Sequence, residues 1–543
     1  MEKKQIASAA TEAIEIESYS ICSSVEQQYK DSETFAENQE ACKRFFPETT
    51  DSTVTSTTEI WDLILSNLQK VDFVKWVYPG VEELRCKYDS TQDPKEREEL
   101  EVQMKHLRVS KNQKLVVVCE EILRVSELMD YGLAKRGAYV YVYNSNYWSS
   151  IDNEELQSFL GNAAEKMGIM PYESRQYSFR DMLSKQFMET SYLKKLPTNG
   201  RVSINLLNGT FDVTDKGEMK LRSFDRQDFL TYQLVFNFDK DAEAPIFKNF
   251  LNEILPDPDS QKILAEFLGY VFTKNLKLEK ALILYGTGAN GKSVIFDIIM
   301  ALLGSDNVSS YSMTDLCNDN GYHRAMIEHK LLNWPSEIGG KTVSDTFKKL
   351  ASGEPISARL PYGEPYIIDS YAKMAFNANV LPKEVEQTNA FFRRFLIIPF
   401  SVTIPEERQD KELSKRIIES ELAGVFNWVL DGLKRLLAQR AFSQCDAVER
   451  ELSLYRKESD TVQLFLEDEN YKQVNEFKIP LKDLYSEFRS FCNTNGYMAV
   501  ANKEFARRLR SIGFILDRQS QGNMVNAEKK YSLDVQFLHN LHS

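Results

Sequence analysis

The chain has 543 residues, 42% of them hydrophobic and 27% charged, which is a soluble globular composition too long for one core and admits about three or four domains. No window approaches about 18 consecutive apolar residues, and the start, MEKKQIASAATEAIEIE, is broken by glutamates, so neither a spanning helix nor a signal peptide is expected. Seven scattered cysteines without a Cys-x-x-Cys pair argue against a zinc ribbon or a disulfide scaffold and for a reducing compartment, read as the cytoplasm.

The net charge of −13 is unevenly spread. Residues 1–60 hold 12 Asp/Glu against 5 Lys/Arg, whereas residues 471–530 hold 11 Lys/Arg against 6 Asp/Glu. Residues 1–58 therefore read as an acidic flexible tail or partner-docking segment. From 59 to 114 the pattern is helical, with charged faces such as DPKEREELEVQMKHLR. Residues 115–275 are mixed and then helical. AYVYVYN alternates as a strand, and SIDNEELQSFLGNAAEKMG runs as a helix. RVSINLLNGTFDVTDKGEMKLR reads as strands joined by Asn-Gly and Lys-Gly turns. Two helical runs, FKNFLNEIL and SQKILAEFLGYVF, are split by Pro-Asp-Pro-Asp at 256–259. Over 276–437 strands alternate with helices, which favours a sheet covered by helices. A charged linker helix over 438–470 leads to a small basic domain, 471–543.

Within the alternating region, residues 286–293 match G-x-x-x-x-G-K-[ST] in full. Gly286, Thr287, Gly288, Ala289, Asn290, Gly291, Lys292, Ser293 and Val294 form a candidate phosphate cradle for ATP. Glycines let backbone N–H groups converge on phosphate oxygens, the lysine reaches the β- and γ-phosphates, and the Ser293 hydroxyl holds Mg²⁺. Ala281–Tyr285 is an apolar run fit for the strand before the loop. Val294, Ile295, Ile298, Ile299, Leu302 and Leu303 mark one face of the helix after it, and Gly304 is placed to end that helix.

Such a loop leaves the function open, and four further stretches narrow it. HKLLNWPSEIG (329–339) is strand-like and ends in Ser336-Glu337, where a carboxylate can polarise the water that attacks the γ-phosphate. KMAFNANVLP (373–382) is a buried-strand candidate ending in Asn379, able to hold that water or sense the γ-phosphate. NAFFRRFLIIPF (389–400) places Arg393 and Arg394 just before another buried strand, and an arginine at a subunit boundary can neutralise charge on a neighbour's γ-phosphate. SGEPISARLPYGEPYIIDS (352–370) reads as a hairpin whose Arg359, Tyr362 and Gly363 could touch a nucleic-acid backbone or base.

In this order and within about 110 residues, these motifs resemble the superfamily 3 helicases, the AAA+-like group of viral and mobile-element replicative motors. The closest likeness is to the C-terminal halves of satellite-phage and plasmid primase–helicases and to the poxvirus primase–helicase. GANGKS looks like their P-loop, PSE their acidic motif, LASGEPISARLPYGEP their hairpin motif, FNANVLP their asparagine motif and RRFLIIPF their arginine-finger strand. The resemblance covers about residues 115–437, and the C-terminal 100 residues more loosely. It implies a multidomain α/β fold: a helical collar, an AAA+-like ATPase domain with a central sheet, and a winged-helix-like end. It also implies ATP and Mg²⁺ as cofactors, with Ser293 and Glu337 at the metal, Glu337 activating water, Asn379 as sensor, and Arg394 as finger with Arg393 the alternative. Three departures stand out. Ser336 precedes Glu337 where many such ATPases have an acidic pair, and Tyr362-Gly363 stands where relatives often have lysine. The residues before the shared region are too short and too acidic for a primase domain, so primer synthesis is not expected.

Residues 471–533 read as strand, two helices and a polar hairpin, a winged-helix pattern with Lys503, Arg507, Arg508 and Arg510 on or near a recognition helix and Lys529 and Lys530 on the ribbon. The three arginines cannot share one helical face. The whole is expected to be a DNA helicase of a phage, plasmid or genomic island in a bacterial cytoplasm. It would work as a ring of six on single-stranded and forked DNA, with a primase or other replication protein as a candidate partner and with no membrane contact. The alternatives are an origin-binding initiator or loader ATPase and a bifunctional primase–helicase.

Overall fold

The computed structural model describes residues 56–530 apart from 138, 194–199, 275, 339–343, 362, 383–384 and 521. Most of the acidic tail (1–55) and Tyr362 lie outside the described residues. The chain forms two compact units, one of residues up to 196 with 224–232, the other of 197–223 with 233 onward.

In the first unit, helices α1 (Thr57–Asn67), α2 (Lys111–Leu128), α3 (Asn153–Lys166) and α4 (Tyr177–Thr190) accompany a meander of β1 (Leu133–Arg136), β2 (Tyr139–Tyr143) and β3 (Trp148–Ile151). Capping boxes, Ser56 with Glu59 and Ser110 with Gln113, start α1 and α2 by satisfying N–H groups that no helical carbonyl can reach. The boundary expected at 114–115 runs through α2, whose Leu115, Val118 and Ile122 share one core with Ile60 and Ile64 of α1. Segment 224–232 is stapled here by an aromatic group. The Trp148 indole N–H donates to Arg226 O at 2.8 Å, and Phe229 stacks on Trp148 with centroids 5.1 Å apart.

The second unit opens with the antiparallel meander β4 (Arg201–Leu206), β5 (Gly209–Thr214) and β6 (Met219–Arg222), turned at the expected Asn208-Gly209. Two helices follow, α5 (Pro245–Ile254) and α6 (Pro258–Tyr270), split at the Pro-Asp-Pro-Asp loop as expected. The central sheet is built from β7 (Ala281–Tyr285), β8 (Val308–Ser309), β9 (Leu332–Asn333), β12 (Lys373–Ala378) and β13 (Phe395–Pro399), in the order β13-β7-β12-β9-β8. Every pairing in it is parallel. Parallel sheets are covered on both faces, which is why β7 and β13 read as unbroken apolar runs. One face carries Ile283, Phe376 and Ile397 against Phe347 of α8 (Ser344–Ser352). The helix after the glycine loop, α7 (Lys292–Leu303), turns Ile295, Ile298, Ile299, Leu302 and Leu303 inward. The expected hairpin is present as β10 (Ile356–Ala358) and β11 (Tyr366–Ile368). A 27-residue helix, α10 once the turn Asn389–Phe392 is counted as α9, spans Leu413–Gln439. Its buried Glu421 carboxylate accepts from Ile246 N and Phe247 N at 2.9 and 2.8 Å, capping α5 from a distant part of the chain.

The stretch expected as a linker helix, 438–470, is two helices belonging to two cores: α11 (Asp446–Glu458) and α12 (Thr461–Asp468). Tyr455 of α11 is buried against Phe392 and Phe395 and donates its hydroxyl proton to Pro382 O at 2.9 Å. Val462 and Phe465 of α12 enter the core of the C-terminal part, which continues as β14 (Tyr471–Pro480), α13 (Leu481–Asn495), α14 (Asn502–Ile512), β15 (Leu516–Gln519) and β16 (Gly522–Lys529). Its antiparallel sheet has the order β14-β16-β15. A few apolar residues in charged text suffice to dock a helix, so charge alone misidentifies a linker.

On α14, Glu504 is gripped by Arg507 and Arg508, whose hydrogen bonds hold its carboxyl at about 2. That value lies below the ordinary glutamate range of about 4.3. The stabilisation is therefore complete above the unfolded value and is lost as pH falls through the folded one. Glu504→Gln is expected to flatten the acid limb of the unfolding temperature between about pH 5 and pH 2, as followed by circular dichroism.

Candidate nucleotide site and the opposite edge of the sheet

Because the strands run parallel, their C-terminal ends lie at one edge, where such sheets bind ligands. The loop 286–291 leaves β7 at this edge, Ser336-Glu337 lies just past β9, and Asn379 follows β12 directly. A backbone bond from Gly286 N to Ala378 O, 3.1 Å, joins the loop to the residue before Asn379. Thr287, Ser293, Glu337 and Asn379 are exposed there, and Val294 is half-buried.

The loop's shape explains its glycines. Gly288 and Gly291 have φ of 112° and 80°, a region open mainly to glycine. A Cβ on Gly291 would stand 2.8 Å from Ile254, and one on Gly286 would stand 2.2 Å from the Asn290 amide. Ala289 adopts φ 49° and is held by Ile404 N donating to its carbonyl at 2.7 Å. Lys292 is buried and donates to Gly286 O at 2.6 Å and to Asn290 Oδ1 at 3.1 Å. Burial pushes its ammonium pKa down. Asn290, buried in turn, donates to Phe400 O at 3.1 Å. The sequence motif assigns Asn290 to the phosphate cradle, but here it braces the loop against the end of β13, a partnership that no local spacing reveals.

The paired arginines lie at the other edge, ahead of β13. Arg394, expected as the finger, is turned inward. Its guanidinium donates to Lys348 O at 3.2 Å, to Ser352 Oγ at 3.0 and 3.2 Å, and to Ala390 O. Arg393, the alternative, has a side chain 55% exposed and pairs with Glu279 at 2.6 Å. The arginine presented at the surface is therefore Arg393, and Arg394 serves the interior.

Of the candidate nucleic-acid contacts, Arg359 is exposed and braces the hairpin turn by donating to Gly363 O at 2.7 Å. On α14, Lys503, Arg507 and Arg510 recur at helical spacing on the exposed side. Arg508 departs from the expectation. Its side chain is 11% exposed and is bound by Asp460 at 3.1 Å and Glu504 at 3.0 Å, because its position falls toward α12. Lys529 is drawn to Glu469 at 2.5 Å, whereas Lys530 is exposed. Among the described residues no helix is long and apolar enough to cross a membrane, and no cluster of three or more His, Cys, Asp or Glu is placed to hold a metal ion.

Comparison with known proteins gives three family matches: residues 128–256 to "D5 N terminal like", 284–394 to a "Family of unknown function (DUF5906)" and 457–536 to "Poxvirus D5 protein-like". A protein of Acanthamoeba polyphaga mimivirus whose name is that of a helicase, L207/L206, is 24% identical over 339 residues. That match takes in 56% of this chain and 34% of the relative, so the chain spans about a third of the relative's length. Structures of the NrS-1 C-terminal region are similar at TM-scores of 0.41 and 0.43, with 14% and 13% identity, covering 74% and 76% of this chain and 96% and 99% of theirs. The two D5-type segments on either side of the glycine-loop region, with the helicase relative, bear out the resemblance to superfamily 3 primase–helicases.

Proposed function

We propose that the chain is an ATP-dependent DNA helicase that works as a ring of identical subunits. The observation that carries this reading is the division of the machinery between two edges of one sheet. The phosphate loop, Glu337 and Asn379 share the C-terminal edge, while Arg393 stands at the N-terminal edge. β7 and β13 are paired over Ala281–Tyr285, and five residues of strand span about 16 Å. An arginine side chain does not bridge that height, so Arg393 serves the nucleotide of an adjacent copy.

In this reading Lys292 gives up the neutral oxygens of Gly286 and Asn290 for the charged oxygens of ATP, which bind an ammonium more strongly. The Ser293 hydroxyl and Glu337 carboxylate are hard oxygen donors suited to Mg²⁺, which when bound offsets phosphate charge. Glu337 takes up the proton of the attacking water and Asn379 orients that water, while Arg393 of the next subunit meets the charge on the transferring phosphoryl group. Arg359 and the hairpin tip contact the DNA strand.

The order α12-β14-α13-α14-β15-β16 around a three-stranded sheet supports a winged-helix reading, in which the stripe of Lys503, Arg507 and Arg510 suits DNA phosphates. That stripe also favours the second reading, an origin-binding initiator or loader.

The deciding experiment is ATP-dependent separation of a forked DNA duplex, comparing wild type with Glu337→Gln. Separation by wild type, reduced at least about 100-fold in the variant, is the expected outcome. Wild-type hydrolysis of ATP without strand separation would move the initiator reading ahead.

A further inference from the structure

Glu279, two residues ahead of β7, has a left-handed backbone, φ 56°, a conformation costly for a side chain other than glycine, asparagine or aspartate. This backbone brings its carboxylate between the paired arginines, 2.6 Å from Arg393 Nη2 and 3.5 Å from Arg394 Nη2. The residues on either side are fastened as well. Leu278 N donates to the Tyr270 hydroxyl at 3.1 Å, Lys280 Nζ to Arg393 O at 2.6 Å, and Ala281 N to Arg394 O at 2.7 Å. Arg394 is itself anchored in the interior, so Glu279 has one fixed and one movable arginine.

The ion pair with Arg393 is half-exposed, and pairs of that kind contribute little stability because water and salt screen them. Strength of pairing therefore does not account for the strained backbone. What the contact does is direct the Arg393 guanidinium, on a side chain that otherwise samples many rotamers.

We propose that Glu279 is a positioning residue that aims Arg393 at the γ-phosphate of a nucleoside triphosphate held by the adjacent copy. This rests on the assignment of Arg393 as the finger. An unaimed arginine reaches the phosphoryl group in a fraction of encounters only, which lowers turnover without weakening nucleotide binding at the chain's own loop.

The test uses the full chain carrying Glu279→Gln, which keeps the shape and removes the charge, with Glu279→Asn as a second variant that tolerates the left-handed backbone. The expected result is a fall in kcat of about 10- to 100-fold with the KM for ATP within about threefold of wild type. Turnover is expected to recover on mixing with Lys292→Ala chains, which carry an intact Glu279–Arg393 pair and present it to the variant's working loop. A defect confined to the variant's own fold would not recover in this way. Arg393→Ala mixed with Lys292→Ala is the reference. If that reference recovers while the Glu279 mixtures do not, or if both Glu279 variants turn over like wild type, the role of Glu279 is overturned and the finger stands. If neither mixture recovers, the finger assignment falls and the positioning role with it.

Discussion

Replacing Lys292 by Ala is expected to lower ATP turnover by about three orders of magnitude or more, the scale on which charged groups aimed at a transferring phosphoryl group contribute. The fold should survive the change. Lys292 opens α7, but the helix is held by Ile295, Ile298, Ile299, Leu302 and Leu303, none of which the substitution touches. What is lost locally is one charged donor to Gly286 O and Asn290 Oδ1, a cost of about 2 kcal/mol. Circular dichroism melting within a few degrees of wild type, combined with absent turnover, would fit the assignment. Near-normal turnover would remove the nucleotide reading altogether.

Much of this site was legible in the sequence because the chemistry is local. A strand, a glycine turn and a helix in succession need only neighbouring residues, and Ala281–Tyr285, Gly286–Gly291 and Lys292–Leu303 fall where the pattern puts them. Strand ends were legible for the same reason: Asn379 follows β12 and the arginine pair precedes β13. The stretch before Glu337 gave less, since only Leu332–Asn333 is strand. Its neighbours Leu331 and Trp334 are apolar and buried all the same, and each donates one backbone bond, to Asn307 O and Ser309 O, so the sequence cannot mark where the regular strand stops.

What was not legible depends on partners far along the chain. Adjacent arginines carry no mark of which one faces inward, and that choice is made by Ser352 and Lys348, more than 40 residues away. Arg508 is buried by Asp460 across a helix contact, and Tyr455 docks the supposed linker through an aromatic group assembled from β13 and the turn before it. Glu279 escapes altogether, since nothing in Leu278-Glu279-Lys280 signals a left-handed glutamate.

The contrast between the two arginines gives the second large expected effect. Arg394→Ala removes a buried guanidinium and leaves Lys348 O, Ser352 Oγ and Ala390 O without their donor. It also takes from Glu279 its buried counter-charge. Breaking a buried charged network of this kind costs about 3 kcal/mol or more, so the expected signature is a clear fall in unfolding temperature, with turnover lost in step with folded protein. Arg393→Ala removes an exposed side chain, and stability should change by less than about 1 kcal/mol. Its expected loss is instead in turnover, about three to five orders of magnitude, the range that a finger arginine supplies to phosphoryl transfer. Because the finger acts on a neighbour, mixing Arg393→Ala with Lys292→Ala chains should restore part of the activity, whereas Arg394→Ala chains should contribute nothing until they fold. The reverse pattern, with Arg394→Ala stable, inactive and restored in mixtures, would return the finger to Arg394 and require that residue to leave its buried site when subunits assemble.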